Sequence, residues 1–172
     1  MVISNLKIGT SYFFTPLEEF AKENIRYPQK NIRITTIGVH NWAWKKDYFD
    51  FVHNLRNAGI HVNGLYKPNF HWHAKILLYK YMGAYVCGII GSSNLTRNAF
   101  SLSAPFNYEA DVLLYNSNIL PKHTIDNIIS ENINPEDVID GIYSLENNGN
   151  MTIEKRLSSI EEKLFDEEYT EI

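Results

Sequence analysis

Residues 73–94 read His73-Ala74-Lys75-Ile76-Leu77-Leu78-Tyr79-Lys80-Tyr81-Met82-Gly83-Ala84-Tyr85-Val86-Cys87-Gly88-Ile89-Ile90-Gly91-Ser92-Ser93-Asn94. Apolar, β-prone residues on both sides of Met82-Gly83 predict a hairpin, with His73 to Tyr79 as one strand and Tyr85 to Ile90 as its return. Residues two apart on a strand face the same way, so His73 and Lys75 project together while Ala74 and Ile76 point into the layer behind. A histidine can act as nucleophile or acid/base near neutral pH, and a lysine beside it can neutralise a phosphate oxygen. The return strand carries Gly91-Ser92-Ser93-Asn94 back beside them. Gly91 permits close backbone approach, and the serine hydroxyls, the Asn94 amide and the N–H groups of a helix start are anion donors. The stretch predicts a site that binds a phosphodiester and stabilises charge on the attacked phosphorus.

Strands and helices alternate on the N-terminal side of this hairpin. Leu6 to Phe14 reads as a strand. Thr15-Pro16-Leu17-Glu18 then reads as a helix start, with Thr15 capping, Pro16 at the first helical position and Glu18 closing a capping box. That helix is expected to run to about Lys22–Glu23. Ile32 to Val39 reads as a buried strand. His40-Asn41-Trp42-Ala43-Trp44 reads as an aromatic loop. Tyr48, Phe51, Val52, Leu55 and Ala58 recur at helical spacing, and Gly59 is placed to end that helix. Ile60 to Tyr66 reads as the next strand. The alternation predicts an α/β fold with a largely parallel or mixed sheet.

On the C-terminal side, Asn94 to Phe100 reads as a helix opened by the Ser92-Ser93 turn, and Tyr108 to Tyr115 as a strand. Beyond Asn116-Ser117-Asn118 the composition shifts. Thr124, Ile125, Ile128 and Ile129 read as one helix, Pro135-Glu136-Asp137 as the start of another, and Asn147-Asn148-Gly149-Asn150 as a linker. Ile153, Leu157, Ile160 and Leu164 form an apolar stripe on a last helix. That stripe needs a partner surface, more commonly its own domain than a second subunit. No internal repeat is present.

The 172 residues carry a net charge of −4, unevenly placed. Residues 1–125 hold 13 Lys/Arg against 7 Asp/Glu (+6), and residues 126–172 hold 3 against 13 (−10). A basic body fits a polyanion partner; an acidic tail fits a partner-binding, dimerising or self-shielding segment, or a solvated helix. Residues 1–120 are expected to form the catalytic domain and residues 121–172 an acidic helical extension. The single Cys87 excludes an intrachain disulfide and reads as an inert buried thiol. With no apolar run long enough to span a bilayer and no signal peptide at Met1-Val2-Ile3-Ser4-Asn5, the expected location is cytoplasmic, with no membrane partner.

His73-x-Lys75 together with Gly91-Ser92-x-Asn94 resembles the HKD motif of the phospholipase D superfamily. Gly91-Ser92-Ser93-Asn94-Leu95-Thr96-Arg97 is most similar to its nuclease and restriction-endonuclease branches, and Asn107-Tyr108-Glu109 resembles the Asn-x-Glu element of the nuclease branch. The resemblance implies a phospholipase D-like mixed β-sheet flanked by helices, and metal-independent phosphodiester cleavage through a phosphohistidine. It implies His73 as nucleophile, Lys75 and Asn94 holding the phosphate with Ser92 assisting, and Glu109 fixing the tautomer of His73. No cofactor and no metal are expected.

Two departures qualify the match. The family's aspartate falls at Lys80, which argues against a phospholipase. Only one half-motif is present, so a homodimer with His73 of a second copy as the acid is expected. The expected substrate is nucleic acid, DNA first and RNA as a further candidate. The alternatives are a phospholipase or phosphatidyltransferase, and a catalytically silent nucleic-acid-binding protein.

The weaker signals have blander readings. His71-x-His73 lacks a convincing third metal ligand. His40, His53, His61 and His123 read as surface or core histidines. Trp42, Trp44, Phe70 and Trp72 read as core or interface rather than as stacking platforms. Lys45, Lys46, Lys67, Lys80 and Arg97 could line a phosphate-tracking groove, although each alone is an ordinary surface charge.

Overall fold

A computed structural model describes residues 2–4, 33–38, 45–57, 59–69, 74–92, 110–132 and 138–172. The chain divides into two compact units. The first holds residues 1–77, 89–112 and 167–172; the second holds residues 78–88 and 113–166. The architecture is mixed α/β with a C-terminal helix, as expected of a phospholipase D-like fold.

The strands are β1 (Val2–Ser4), β2 (Arg33–Gly38), β3 (His61–Tyr66), β4 (Lys75–Tyr81), β5 (Ala84–Gly91), β6 (Asp111–Tyr115) and β7 (Thr170–Glu171). Their order across the sheet is β6-β5-β4-β1-β2-β3-β7. In the first unit, β1, β2 and β3 run parallel, with Val2 opposite Thr35 and Arg33 opposite His61. β7 closes the edge antiparallel to β3, pairing Leu65 with Glu171 and Tyr66 with Thr170.

Helix α1 (Lys45–Asn57) links β2 to β3 as a βαβ unit and packs on both strands. Its Tyr48, Phe51 and Val52 are buried with Ile34 and Val62, and Leu55, Leu77 and Ile172 pack against the cluster. Each such side chain contributes roughly 1.5–3 kcal/mol when fully buried. Tyr48 anchors the layer. Its phenol lies 2.8 Å from Thr36 Oγ1, 2.8 Å from the Thr36 carbonyl and 2.7 Å from the Leu65 carbonyl. Gly38 makes room for this ring, since a Cβ there would lie 2.6 Å from it. The helix ends as its sequence predicts. Gly59 adopts φ +81°, its N–H donates to the Arg56 carbonyl, and the Ile60 N–H donates to the Leu55 carbonyl. These two bonds form a Schellman cap.

The hairpin forms with β4 beginning at Lys75 and a two-residue turn. Met82 (φ +50°) and Gly83 (φ +83°) are both left-handed, which gives a type I′ turn whose twist suits the flanking strands.

In the second unit, the distal hairpin packs with helices α2 (Lys122–Asn132) and α3 (Ile153–Phe165). Thr152 caps α3, its hydroxyl accepting from the Lys155 N–H at 3.2 Å. Leu157 and Leu164 of the predicted stripe are fully buried within this unit, and Leu157 lies over Gly88. The stripe therefore docks on its own chain.

The helix start expected at Pro135-Glu136-Asp137 lies outside the described residues; residues 138–144, which follow it, are neither helix nor strand, with Ile139 and Ile142 fully exposed. Gly141 and the β-branched Val138, Ile139 and Ile142 disfavour a helix, and Asp140 is held instead by Lys122 at 2.6 Å. Asn147-Asn148-Gly149-Asn150 is a fastened turn, not a linker. Glu146–Asn148 form a 3-10 turn ended by Gly149 at φ +64°. The Arg156 guanidinium donates to both Asn148 and Tyr143, and the Tyr143 hydroxyl donates to the Met151 carbonyl. The strand expected over 6–14, the helix from Thr15, the aromatic loop at 40–44 and the helix over 94–100 lie outside the described residues.

Candidate active site

Lys75 opens β4, a strand flanked by β5 and β1. It is only 8% exposed, and its neighbour Ile76 is 2% exposed. Adjacent residues face opposite sides of a strand, so both faces of β4 are covered here. Solvent-facing lysine is thus the wrong picture for this position. Lysine is almost never fully buried without a specific reason, which sets Lys75 apart from an ordinary surface charge.

At the same open end of the hairpin, Gly91 closes β5 and Ser92 follows it. The Ser92 N–H donates to the Ala110 carbonyl at 3.1 Å, and the Ala110 N–H donates to Ser92 Oγ at 3.0 Å. A Cβ on Gly91 would lie 1.7 Å from Asp111 Oδ1 and 2.6 Å from the Ala110 carbonyl. Close approach at Gly91 is therefore made to the chain's own Ala110-Asp111. The reciprocal bonds pin the end of β5 to the residue that follows Glu109 in sequence.

Ser92 and Ala110 are thus bonded to each other, with Lys75 at the open end of the same hairpin. His73, Asn94 and Glu109 lie outside the described residues, as do His40, His71, Trp42, Trp44, Phe70, Trp72 and Arg97.

The lysines expected to track phosphate are engaged within the chain. Lys46 pairs with Asp50 at 2.8 Å. Lys45 stands 5.1 Å above each of the Phe49 and Tyr66 rings. Lys67 pairs with Glu167, and Lys80 with Glu161. Sequence reasoning missed this last cluster. Lys80 also stands 4.5 Å above the Tyr85 ring, and the Tyr85 hydroxyl donates to Glu161. Burial alone would lower the Lys80 pKa, but its hydrogen bonds to Glu161 and Tyr85 outweigh that and raise it. Burial and then the Glu161 carboxylate push the Tyr85 phenol up. The only sequence signal for this cluster was the lysine standing where the family has an aspartate.

Cys87 is half-buried, and burial pushes its thiol up, which disfavours the thiolate a nucleophile needs. His53, His61 and His123 are exposed. Among the described residues, no helix is long and apolar enough to cross a membrane.

A family model described as "Cardiolipin synthase, PLD-like domain" matches residues 3–132. No curated protein and no solved structure matches the chain. The matched span contains the whole of His73–Asn94 and Asn107–Glu109, the strands β2 to β6 and the buried Lys75. Well over half of the sequence is matched, so the chain belongs to the phospholipase D-like domain family, whose members hydrolyse or transfer phosphodiesters.

Proposed function

We propose that this protein is a metal-independent endonuclease acting on DNA, with RNA as a further substrate. Its catalytic part would be residues 1–120, with residues 121–172 as an extension and the active site shared by a homodimer. The observation that carries phosphodiester chemistry is the burial of Lys75, two residues after His73 on a covered central strand. Nucleic acid is favoured over lipid by the Gly91-to-Arg97 resemblance to the nuclease branches, by Lys80 in place of the aspartate, and by the +6 charge of residues 1–125.

In this reading an imidazole nitrogen of His73 attacks phosphorus. The P–O bond to the leaving strand breaks, and the leaving oxygen takes a proton from His73 of the second copy. Water then displaces the histidine from phosphorus, its proton returning to the acid's imidazole. Lys75, Asn94 and Ser92 balance charge on the phosphoryl oxygens, and Glu109 holds the attacking ring in one tautomer. The chemistry calls for no cofactor.

A phosphatidyltransferase or phospholipase is the second reading, favoured by the description of the matched family. One experiment separates the two. Purified protein and a His73→Ala variant are incubated in excess chelator with plasmid, single-stranded DNA and RNA, and in parallel with phosphatidylglycerol and phosphatidylcholine vesicles. Nucleic-acid cleavage by the parent alone supports the endonuclease. Headgroup release or transfer without nucleic-acid cleavage replaces it with the lipid enzyme. Cleavage that persists in His73→Ala, or stops with chelator, sinks the phosphohistidine mechanism.

A further inference from the structure

We propose that the acidic C-terminal segment masks lysines of the basic body, with Glu161 holding Lys80 and Glu167 holding Lys67 in place of nucleic-acid phosphates. The inference rests on the nucleic-acid reading above and adds its regulation. Both pairs join residues far apart in sequence and match the charge division of the chain, +6 before residue 126 and −10 after it. They differ in kind from Lys46–Asp50 and Lys122–Asp126, which are local i,i+4 pairs on one helix.

The acids are not what docks the segment. Helix α3 is seated by Leu157 and Leu164, both fully buried in the second unit. In the first unit, β7 is seated by backbone pairing to β3, by the Ile172 N–H on the Gly64 carbonyl at 2.9 Å, and by Arg56 on the Ile172 carbonyl at 2.8 Å. Glu161 and Glu167 can therefore release their lysines while the elements that carry them stay in place. The pairs are also accessible. The side chains of Lys67 and Glu167 are 34% and 42% exposed, and those of Lys80 and Glu161 are 36% and 18% exposed. A carboxylate in such a pair presents an anionic oxygen to the ammonium much as a phosphate does, so a polyanion exchanges for it at little cost.

The test is fluorescence anisotropy of a labelled DNA duplex over a salt series, with full-length parent, Glu161→Gln, Glu167→Gln and the double variant. Glutamine keeps an acceptor for Tyr85 and Lys80 while removing the charge. Circular dichroism confirms that each variant folds. Glu168→Gln is the control, because Glu168 is exposed and in no ion pair among the described residues. Each of the two masking substitutions should tighten binding roughly two- to fivefold at low salt. Each should also steepen the slope of log affinity against log salt by about one, as one more lysine contacts phosphate. Adding Lys80→Gln to Glu161→Gln should reverse the gain. Unchanged affinity and slope, or an equal gain from Glu168→Gln, overturns the mask and leaves the nucleic-acid reading standing. No DNA binding by any of the proteins overturns both.

Discussion

At Gly91 the absence of a side chain is a geometric requirement. The nearest obstacle to a Cβ is a carboxylate that could swing aside, but the second is the Ala110 carbonyl at 2.6 Å, which is backbone and bonded to the Ser92 N–H. Gly91→Ala is expected to cost about 1–3 kcal/mol, the usual range for overpacking. Gly141→Ala, with nothing within 4 Å, should stay within about 0.5 kcal/mol of the parent. Urea denaturation of both variants checks the contrast, and equal stability would mean that the β5 end does not meet Ala110 as described. Tyr48 sets a second residue-scale expectation. Burial raises its pKa against the opposing effect of the Thr36 and Leu65 hydrogen bonds. An unfolded tyrosine ionises near about 10, while the folded protein holds the proton to higher pH. Tyr48 thus leaves stability intact below about pH 10 and erodes it as pH rises through the folded value. Tyr48→Phe should lose about 1–3 kcal/mol at neutral pH, because the Thr36 and Leu65 carbonyls lose the one buried O–H placed between them. It should also show a shallower alkaline decline in a denaturation series run from pH 8 to 11.

Elements were legible where local chemistry alone decides them. Helix α1 follows from its 3.6-residue apolar period and its glycine stop, and the hairpin follows from β-prone runs around Met82-Gly83. β7 was not legible, because Thr170-Glu171 is two polar residues whose placement comes from backbone bonds to Leu65 and Tyr66. Nor was the irregular course of residues 138–144 legible, since the Asp140–Lys122 pair that holds the segment joins residues 18 apart. The candidate site is a motif in the sequence, but the burial of Lys75 was not legible there. Period-2 reasoning assigns one face to solvent, whereas β4 is covered on both. The turn also contains a choice the sequence leaves suboptimal. Type I′ turns favour Asn-Gly, and Met82 occupies the left-handed region at φ +50° while 90% exposed. Met82→Asn should therefore stabilise the protein by roughly 1 kcal/mol, since no packing is lost and asparagine tolerates this conformation better. A higher denaturation midpoint with unchanged slope is the expected result; a lower one would mean that the turn is not type I′.

For the whole molecule, the proposed mechanism is a question of stoichiometry. One chain has one His73, one Lys75 and one Gly91-Ser92-x-Asn94, while the two-step chemistry uses one histidine on phosphorus and another on the leaving oxygen. If two copies share one site, a dimer with a single His73 lacks either nucleophile or acid. Wild-type and His73→Ala protein can be mixed at fixed total concentration, unfolded and refolded together so that subunits exchange at random. Active dimers should then fall as the square of the wild-type fraction, so that an equal mixture retains about a quarter of the parent rate for a two-fold dimer. Two chains each carrying a complete site would retain about half. The same preparation should lose specific activity on dilution through the dimer's dissociation range, read against its sedimentation velocity. A linear mixing curve with constant specific activity would leave His73 acting within one chain, and the proton for the leaving oxygen would then have to come from another group of that chain.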